Sequence, residues 1–127
     1  MKYIRLFEEL DSAELAALED YADYLFSNLG VDIVFSRHFK ERINDARNGR
    51  PITYDEVTEL FRKARASAGR EIAELPPHAS AVLTDLVTKI NAPFVMQRDA
   101  RHREKDLVMK TIMRKSHFMS SDPHINL

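Results

Sequence analysis

Hydrophobic residues recur at helical spacing near the start of the chain. From Asp11 or Ser12 to Asn28, leucine and alanine side chains return every three or four residues, and acidic residues fill many of the positions between them. This spacing is typical of an amphipathic helix with one apolar face. Either Asp11 or Ser12 is suited to cap its N-terminus, and Gly30 is suited to end it. We therefore predict an acidic amphipathic helix within residues 1–30.

Two further helices are predicted after a short β-prone run. That run ends just before Ser36, which is suited to cap a second helix through about Ala46. Thr53 and Glu56 have the spacing of a capping box, in which each side chain accepts a hydrogen bond from the other residue's backbone N–H. Apolar residues then repeat at steps of three and four up to Gly69, which predicts a third helix.

The pattern changes to that of β-strands in the second half of the chain. Residues 81–91 and 93–97 are rich in β-branched and apolar side chains and predict one or two strands. Pro93 lacks a backbone N–H, so it should mark a bulge, an edge or a break between strands. A charged turn over residues 98–105 leads to another β-prone run, Leu107–Arg114. Together these runs predict an antiparallel hairpin or meander.

Helices followed by strands predict an α+β fold, with about three N-terminal helices packed on one face of a small C-terminal antiparallel sheet. We expect one domain overall, in which residues 1–30 form the acidic helix and residues 31–127 the α+β region. At 127 residues the chain is long enough to bury roughly two thirds of its unfolded surface.

Composition narrows the function classes. The chain has no cysteine, which excludes disulfide scaffolds, zinc–thiolate sites and thiol catalysis. No apolar run approaches the roughly 18 residues of a membrane span, and acidic residues occupy the place of a signal peptide's apolar stretch. We therefore expect a cytoplasmic protein without membrane contact.

Residues 1–30 hold two basic and seven acidic residues, whereas residues 31–127 hold 17 basic and 13 acidic ones. This asymmetry indicates either an acidic helix near a basic functional face or two solvated surfaces.

The predicted second helix carries a histidine and an arginine on one side. His38 and Arg42 are four residues apart and so lie on the same stripe of a helix. A histidine can transfer a proton near neutral pH, and an arginine can hold a phosphate. The same pair is also compatible with an ordinary solvated helix face.

The predicted strand Leu107–Arg114 carries a hydroxyl and several cations. Strand alternation places Thr111 on the same side as Leu107 and Met109. A polar group among apolar side chains needs a hydrogen-bond partner or a functional role. Lys110 and Arg114 lie on the other side, and Lys115 follows the strand. Alternatively, Thr111 is simply β-prone and bonds to a neighbouring strand, and the cations protect an edge.

The charged turn before this strand is a further candidate for phosphate contact. Arg98, Arg101, Arg103 and Lys105 surround His102, although a solvated loop explains them equally well. His78, His117 and His124 are scattered through loops and the tail, with no two at helical ligand spacing. We therefore expect no metal site. No glycine-rich phosphate loop or dinucleotide fingerprint is present, and we expect no cofactor.

Two segments resemble a group of small nucleases. They are residues 34–47, VFSRHFKERINDAR, followed by Pro51-Ile52-Thr53, and residues 108–118, VMKTIMRKSHF. They are similar to the superfamily that unites barnase, EndoU, the colicin E5 and D tRNases and RelE, in its phage- and toxin-borne branch. In that branch a strand enters a helix carrying His and then Arg, a second helix begins at an Ile-Thr or Ile-Ser cap, and an antiparallel sheet follows.

The resemblance implies metal-independent endoribonuclease activity on an RNA such as a tRNA or mRNA. In this reaction the ribose 2′-hydroxyl attacks the adjacent phosphate, so no protein nucleophile is needed. By this resemblance His38 transfers the proton, Arg42 and Lys115 hold the charge, and Thr111 donates to a phosphate oxygen. Further substrate contacts are assigned to four arginines, namely Arg47, Arg114, Arg101 and Arg103. No second histidine or glutamate can be placed as the partner acid or base.

A short leader motif, Leu6-Phe7-Glu8, resembles the sites at which phage head proteins are trimmed and suggests a phage origin. The alternative function is therefore a non-enzymatic phage or accessory protein that binds a host protein or forms part of a virion. A cognate inhibitor is a further partner if the protein is toxin-like. A nucleic-acid-binding module without chemistry is a third hypothesis, and its affinity should fall steeply with salt.

Overall fold

The computed structural model of the protein describes residues 9–98 and 105–127. Two predicted features lie outside these residues: the Leu6-Phe7-Glu8 motif and most of the charged turn, with Arg101, His102 and Arg103. Within the described ranges the helices are α1 (Ser12–Phe26), α2 (Arg37–Arg42) and α3 (Tyr54–Ala73). The strands are β1 (Val31–Phe35), β2 (Ser80–Asp85), β3 (Ile90–Arg98), β4 (Lys105–Met109), β5 (Met113–Arg114) and β6 (His124–Asn126).

The long helices begin where local capping chemistry predicts. Asp11 rather than Ser12 caps α1. The Asp11 carboxylate accepts a hydrogen bond from the Glu14 N–H at 2.8 Å, and the Glu14 carboxylate accepts one from the Asp11 N–H. The predicted capping box of α3 is present, with the Glu56 N–H donating to Thr53 Oγ1 at 3.1 Å and the Thr53 N–H donating to Glu56 at 3.0 Å. These bonds satisfy N–H groups that the first turn of a helix leaves free.

The predicted end of α3 at Gly69 is wrong, since the helix continues to Ala73. Gly69 is buried, and a Cβ atom there would lie 3.2 Å from Leu29 Cδ1. The glycine therefore allows α3 to approach the end of α1 closely and does not terminate the helix.

α2 is shorter than predicted and ends at Arg42. Asp45 then caps a separate 3-10 turn, Ala46–Asn48, by accepting from the Arg47 N–H at 2.8 Å. The side-chain amide of Asn48 donates to the Arg42 carbonyl at 2.9 Å, which satisfies a carbonyl group freed at the end of α2.

The sheet is mixed, and the prediction of a purely antiparallel C-terminal sheet is wrong in that respect. Its order is β1-β4-β3-β2-β6, with β5 beside the start of β3. β3 is antiparallel to β2, β4 and β5, whereas β1 pairs in parallel with β4 and β6 in parallel with β2. Parallel pairing needs a long connection. The chain between β1 and β4 and the tail before β6 supply those connections, so strands far apart in sequence become neighbours.

A β-bulge interrupts the predicted strand Leu107–Arg114. Met109 lies opposite Phe94 and Met113 lies opposite Asn91, so one strand has an extra residue between these pairs. The extra residue reverses the order in which side chains alternate between the two faces of the sheet. As a result, Ile112 is fully buried while Thr111 is only half-buried. The expectation that Thr111 shares the core-facing side with Met109 is therefore wrong.

Pro93 explains where the bulge occurs. The Lys110 N–H donates to the Pro93 carbonyl at 2.9 Å, but Pro93 has no N–H that could donate to the Lys110 carbonyl. The Ser36 hydroxyl donates to that Lys110 carbonyl instead, at 2.9 Å, while its oxygen accepts from the Phe39 N–H at 3.0 Å. One serine thus caps α2 and completes the interrupted ladder.

α1 and α3 pack together on one face of the sheet, and α1 also covers the outer edge of β1. Glu19 accepts from the Phe35 N–H at 2.6 Å, and Asp23 accepts from the Ile33 N–H at 2.9 Å. Because the two acids are one helical turn apart, they match alternate residues of the strand. Part of the acidic character of α1 therefore protects a sheet edge from pairing with another chain.

The C-terminal tail forms the strand at the opposite edge of the sheet. Its residues His124–Asn126 pair in parallel with β2. None of the helices among the described residues is both long enough and apolar enough to cross a membrane.

Candidate functional site

Five strands of the sheet run in the same direction, because β5 is antiparallel to β3 in the same way as the other four. β1 and β4 are parallel, β2 and β6 are parallel, and both pairs oppose β3. Their carboxyl ends therefore meet at one edge of the sheet, where Ser36 follows β1 and Lys110 follows β4. Ligand sites in sheets with parallel strands commonly lie at this edge.

The two predicted catalytic segments are neighbours at this edge. The start of α2 is fastened to the bulge by the bond from Ser36 Oγ to the Lys110 carbonyl. The end of α2 is linked to β5 through Asn48, whose amide donates to the Arg42 carbonyl and accepts from the Arg114 N–H at 3.1 Å. The helix that carries His38 and Arg42 therefore lies alongside the segment that contains Thr111.

Two of the predicted cationic residues near α2, Arg42 and Arg47, already have an anionic partner. Asp45 lies 2.9 Å from the Arg47 guanidinium and 3.7 Å from the Arg42 Nε. Hydrogen bonds from the Arg47 side chain and backbone lower the pKa of Asp45 to about 2. His38 is exposed and makes no hydrogen bond or ion pair with another described residue. Nothing in this part of the structure orients its imidazole.

Arg114 has a structural role that the sequence did not reveal. Its guanidinium binds both carboxylate oxygens of Glu56, at 2.6 and 3.0 Å, and its side chain is only 9% exposed. It also donates to three backbone carbonyls, those of Arg50, Pro51 and Thr88. Burial raises the pKa of Glu56, but the hydrogen bonds from Arg114 and from the Thr53 N–H lower it overall. We therefore assign Arg114 to fastening β5 onto α3 and not to substrate contact.

Lys115 lines a cleft that His38 does not line. The cleft has a volume of about 580 Å³ and lies between the end of β2, the start of β3 and the tail. We call it the tail cleft. Its lining residues are Thr84, Asp85, Leu86, Lys89, Asn91, Lys115, Ser116, His117, Phe118, His124 and Asn126. His38 and Thr111 are not among them.

The tail cleft is lined by cationic and proton-transferring groups. Lys89, Lys115 and His117 are exposed, and His124 is half-buried. Asp85 is the one carboxylate among the described residues that line it, and its oxygen lies 3.1 Å from the Lys63 ammonium. Burial raises the pKa of Asp85, but hydrogen bonds from Lys63 and from two backbone N–H groups lower it overall. Because Lys63 offsets Asp85, the lining of the cleft favours an anion.

Two of the lining residues have strained backbones. Lys89 has a φ of 64° and His117 a φ of 56°, in the left-handed region that side chains with a Cβ rarely adopt. Such a conformation costs roughly 1–2 kcal/mol per residue and is concentrated at functional sites. The fold maintains it at Lys89 and His117, two of the four lining residues that carry an ammonium or an imidazole group.

Sequence reasoning missed most of this cleft. It treated His117 and His124 as scattered, because neither belongs to an element long enough to show a period. The available signal was the pair of polar residues Thr84 and Asn91 inside β-prone runs, which indicates a polar feature on the second face of the sheet. Their separation along the chain from His124 gave no hint that the three side chains meet.

No group of three or more His, Asp or Glu side chains in residues 9–98 and 105–127 is arranged to hold a metal ion. Comparison of the chain with family models, with curated proteins and with solved structures finds no match. The resemblance of residues 34–47 and 108–118 to small nucleases therefore stays a prediction.

Proposed function

We propose that the protein is a metal-independent endoribonuclease whose active site is the tail cleft. The observation that supports this proposal is that two imidazoles and two ammonium groups open onto a single cleft, those of His117, His124, Lys89 and Lys115. RNA cleavage through the ribose 2′-hydroxyl needs only a base, an acid and positive charge near the phosphate. The lining supplies each of these groups.

The reaction assigns a role to each side chain. His124 takes the proton of the 2′-hydroxyl while that oxygen attacks the adjacent phosphorus. His117 gives a proton to the 5′-oxygen as its bond to phosphorus breaks. Lys89 and Lys115 stabilise the extra negative charge of the phosphorane. The products are a 2′,3′-cyclic phosphate on one fragment and a 5′-hydroxyl on the other.

The size and chemistry of the cleft favour single-stranded RNA. A volume of about 580 Å³ falls within the range of small-ligand sites and suits one or two nucleotides better than a duplex. DNA lacks the 2′-hydroxyl and is not a substrate for this reaction. An unpaired segment of a tRNA or mRNA therefore remains the proposed target.

The test uses the full-length protein, EDTA and synthetic RNA oligonucleotides, with detection of 2′,3′-cyclic phosphate ends. We expect His124→Ala and His117→Ala each to lower the cleavage rate by about 10²- to 10⁴-fold, which is the usual contribution of a general acid or base. An oligonucleotide with a single 2′-deoxy substitution should stay intact at that position only.

His38→Ala is the matched control, because His38 is an exposed histidine that does not line the cleft. We expect it to leave the rate close to that of the wild type. If His38→Ala abolishes cleavage and His124→Ala does not, the active site is the predicted surface of α2 and Thr111. Intact RNA at high protein concentration would contradict ribonuclease activity at either surface and favour the non-enzymatic alternative.

A further inference from the structure

A chain of buried hydrogen bonds lies behind His124. Its imidazole Nδ1 is 2.9 Å from Thr84 Oγ1, and Thr84 Oγ1 is 3.1 Å from Asn91 Oδ1. Thr84 is 7% exposed and Asn91 is 2% exposed. Because Thr84 and Asn91 are buried, we expect their side-chain donors and acceptors to be paired within the protein.

The orientation of the Asn91 amide follows from its other partners. Its Nδ2 donates to the backbone carbonyls of Lys115, at 2.9 Å, and of Lys89, at 3.2 Å. A flipped amide would place its oxygen against two carbonyl oxygens, which is repulsive. The nitrogen therefore faces the carbonyls, and Oδ1 faces Thr84.

This orientation decides the direction of the remaining bonds. The Asn91 oxygen only accepts, so the single hydroxyl proton of Thr84 is donated to it. Thr84 Oγ1 then has only lone pairs to offer to His124. The bond between them must be donated by the imidazole, which places a proton on Nδ1.

We infer that Thr84 and Asn91 are positioning residues that hold neutral His124 as the Nδ1–H tautomer. Nε2 then carries the free lone pair and is the atom that accepts the 2′-hydroxyl proton. This inference rests on the proposed function of the tail cleft. It adds which nitrogen acts as the base and which two residues determine that choice.

The Asn91 side-chain amide also links the His124 imidazole to the backbones of Lys89 and Lys115. Asn91 binds the carbonyl of Lys89 in the β2–β3 turn and that of Lys115 after β5. One buried side chain therefore fixes the backbone that carries both ammonium groups and, through Thr84, the ring of His124. The base and the cationic groups are positioned relative to each other by this side chain together with the bond from the Lys115 N–H to the Lys89 carbonyl at 2.9 Å.

The tautomer can be measured directly by ¹⁵N NMR of the full-length protein without RNA, at a pH where His124 is neutral. In water, neutral histidine prefers the proton on Nε2, so a dominant Nδ1–H signal for His124 is the expected and distinctive result. His38, which has no described partner, serves as the internal reference for the ordinary preference. A wild-type His124 with its proton on Nε2 overturns the inference.

Substitution of Thr84 separates positioning from folding. Thr84→Val keeps the shape but removes the hydroxyl, so we expect His124 to revert toward the Nε2–H form and kcat to fall about 10- to 100-fold with little change in KM. Thr84→Ser retains the hydroxyl and should restore both the tautomer and the rate. An unchanged tautomer in folded Thr84→Val contradicts the inference. An Nδ1–H tautomer in a wild type that does not cut RNA contradicts only the proposed function.

Discussion

Lys89 combines an unfavourable backbone with a side chain that makes no ion pair among the described residues. Its φ of 64° lies in the left-handed region, where asparagine is better tolerated than lysine. The residue is the last of the β2–β3 turn, which is closed by the bond from its N–H to the Asp85 carbonyl at 2.9 Å. We therefore infer that lysine occupies this position because of its charge and not because of its backbone preference.

Lys89→Asn removes the charge and places a better-tolerated residue in the left-handed conformation. We expect the free energy of unfolding to stay the same or rise by up to about 1 kcal/mol, because strain is relieved and no ion pair among the described residues is lost. Affinity for single-stranded RNA should fall, and the slope of log K against log salt should become shallower by about 0.7 for the one lost phosphate contact. Urea unfolding and fluorescence anisotropy measure the two effects. The control is Arg70→Gln, an exposed cation on α3, and an equal loss of affinity there would refute a specific role for Lys89.

At the scale of elements, Ser36 joins α2 to the bulged strand. Its oxygen caps the helix by accepting from the Phe39 N–H, and its hydroxyl satisfies the Lys110 carbonyl that faces Pro93. Together with the Asn48 bridge between Arg42 and Arg114, this side chain holds the two halves of the predicted nuclease-like surface in their relative position.

We therefore expect Ser36→Ala to lower the free energy of unfolding by about 1–3 kcal/mol, since it removes a helix cap and leaves a carbonyl without its partner. Ser67→Ala is the matched control, because the Ser67 hydroxyl binds only the Lys63 carbonyl on an exposed face of α3. That control should be close to neutral, as alanine is the better helix former. Urea unfolding compares the two variants, and equal effects would show that the link to Lys110 contributes nothing.

At the scale of the whole molecule, two ion pairs connect α3 to the sheet. Glu56 binds Arg114 of β5, and Lys63 binds Asp85 of β2. Burial opposes ionisation of both acids, but their hydrogen bonds prevail and the pKa of each is lowered in the folded state. The folded protein thus binds these protons less tightly than the unfolded chain does.

The sign of the pH dependence follows from that difference. A carboxyl with a lowered folded pKa contributes its stabilisation above its ordinary pKa and loses it as the pH falls through the folded value. The free energy of unfolding should therefore decline as the pH drops below 4.5, the ordinary value for Glu56. Glu56→Gln should make this decline shallower, whereas Glu71→Gln on the exposed side of α3 should not. Urea titrations between neutral and acidic pH test this, and parallel curves for wild type and Glu56→Gln would disprove it.

Features that depend on neighbouring residues were predictable without coordinates. The Thr53–Glu56 capping box was predictable because its two partners are three residues apart. Pro93 was expected to mark a bulge, an edge or a break because its missing N–H is a local property, and the bulge lies in the strand that faces it. The α+β class followed in the same way from the periods of successive segments.

Contacts between distant segments depend on how the whole chain packs. β1 pairs with β4 across more than 70 residues, and the tail closes the sheet beside β2, because the burial of apolar faces selects partners that no local pattern encodes. The tail cleft has the same origin, since Thr84, Asn91 and His124 meet only after that pairing. A proton-transfer site of this kind consists of distances between side chains, and those distances exist only once the chain has packed.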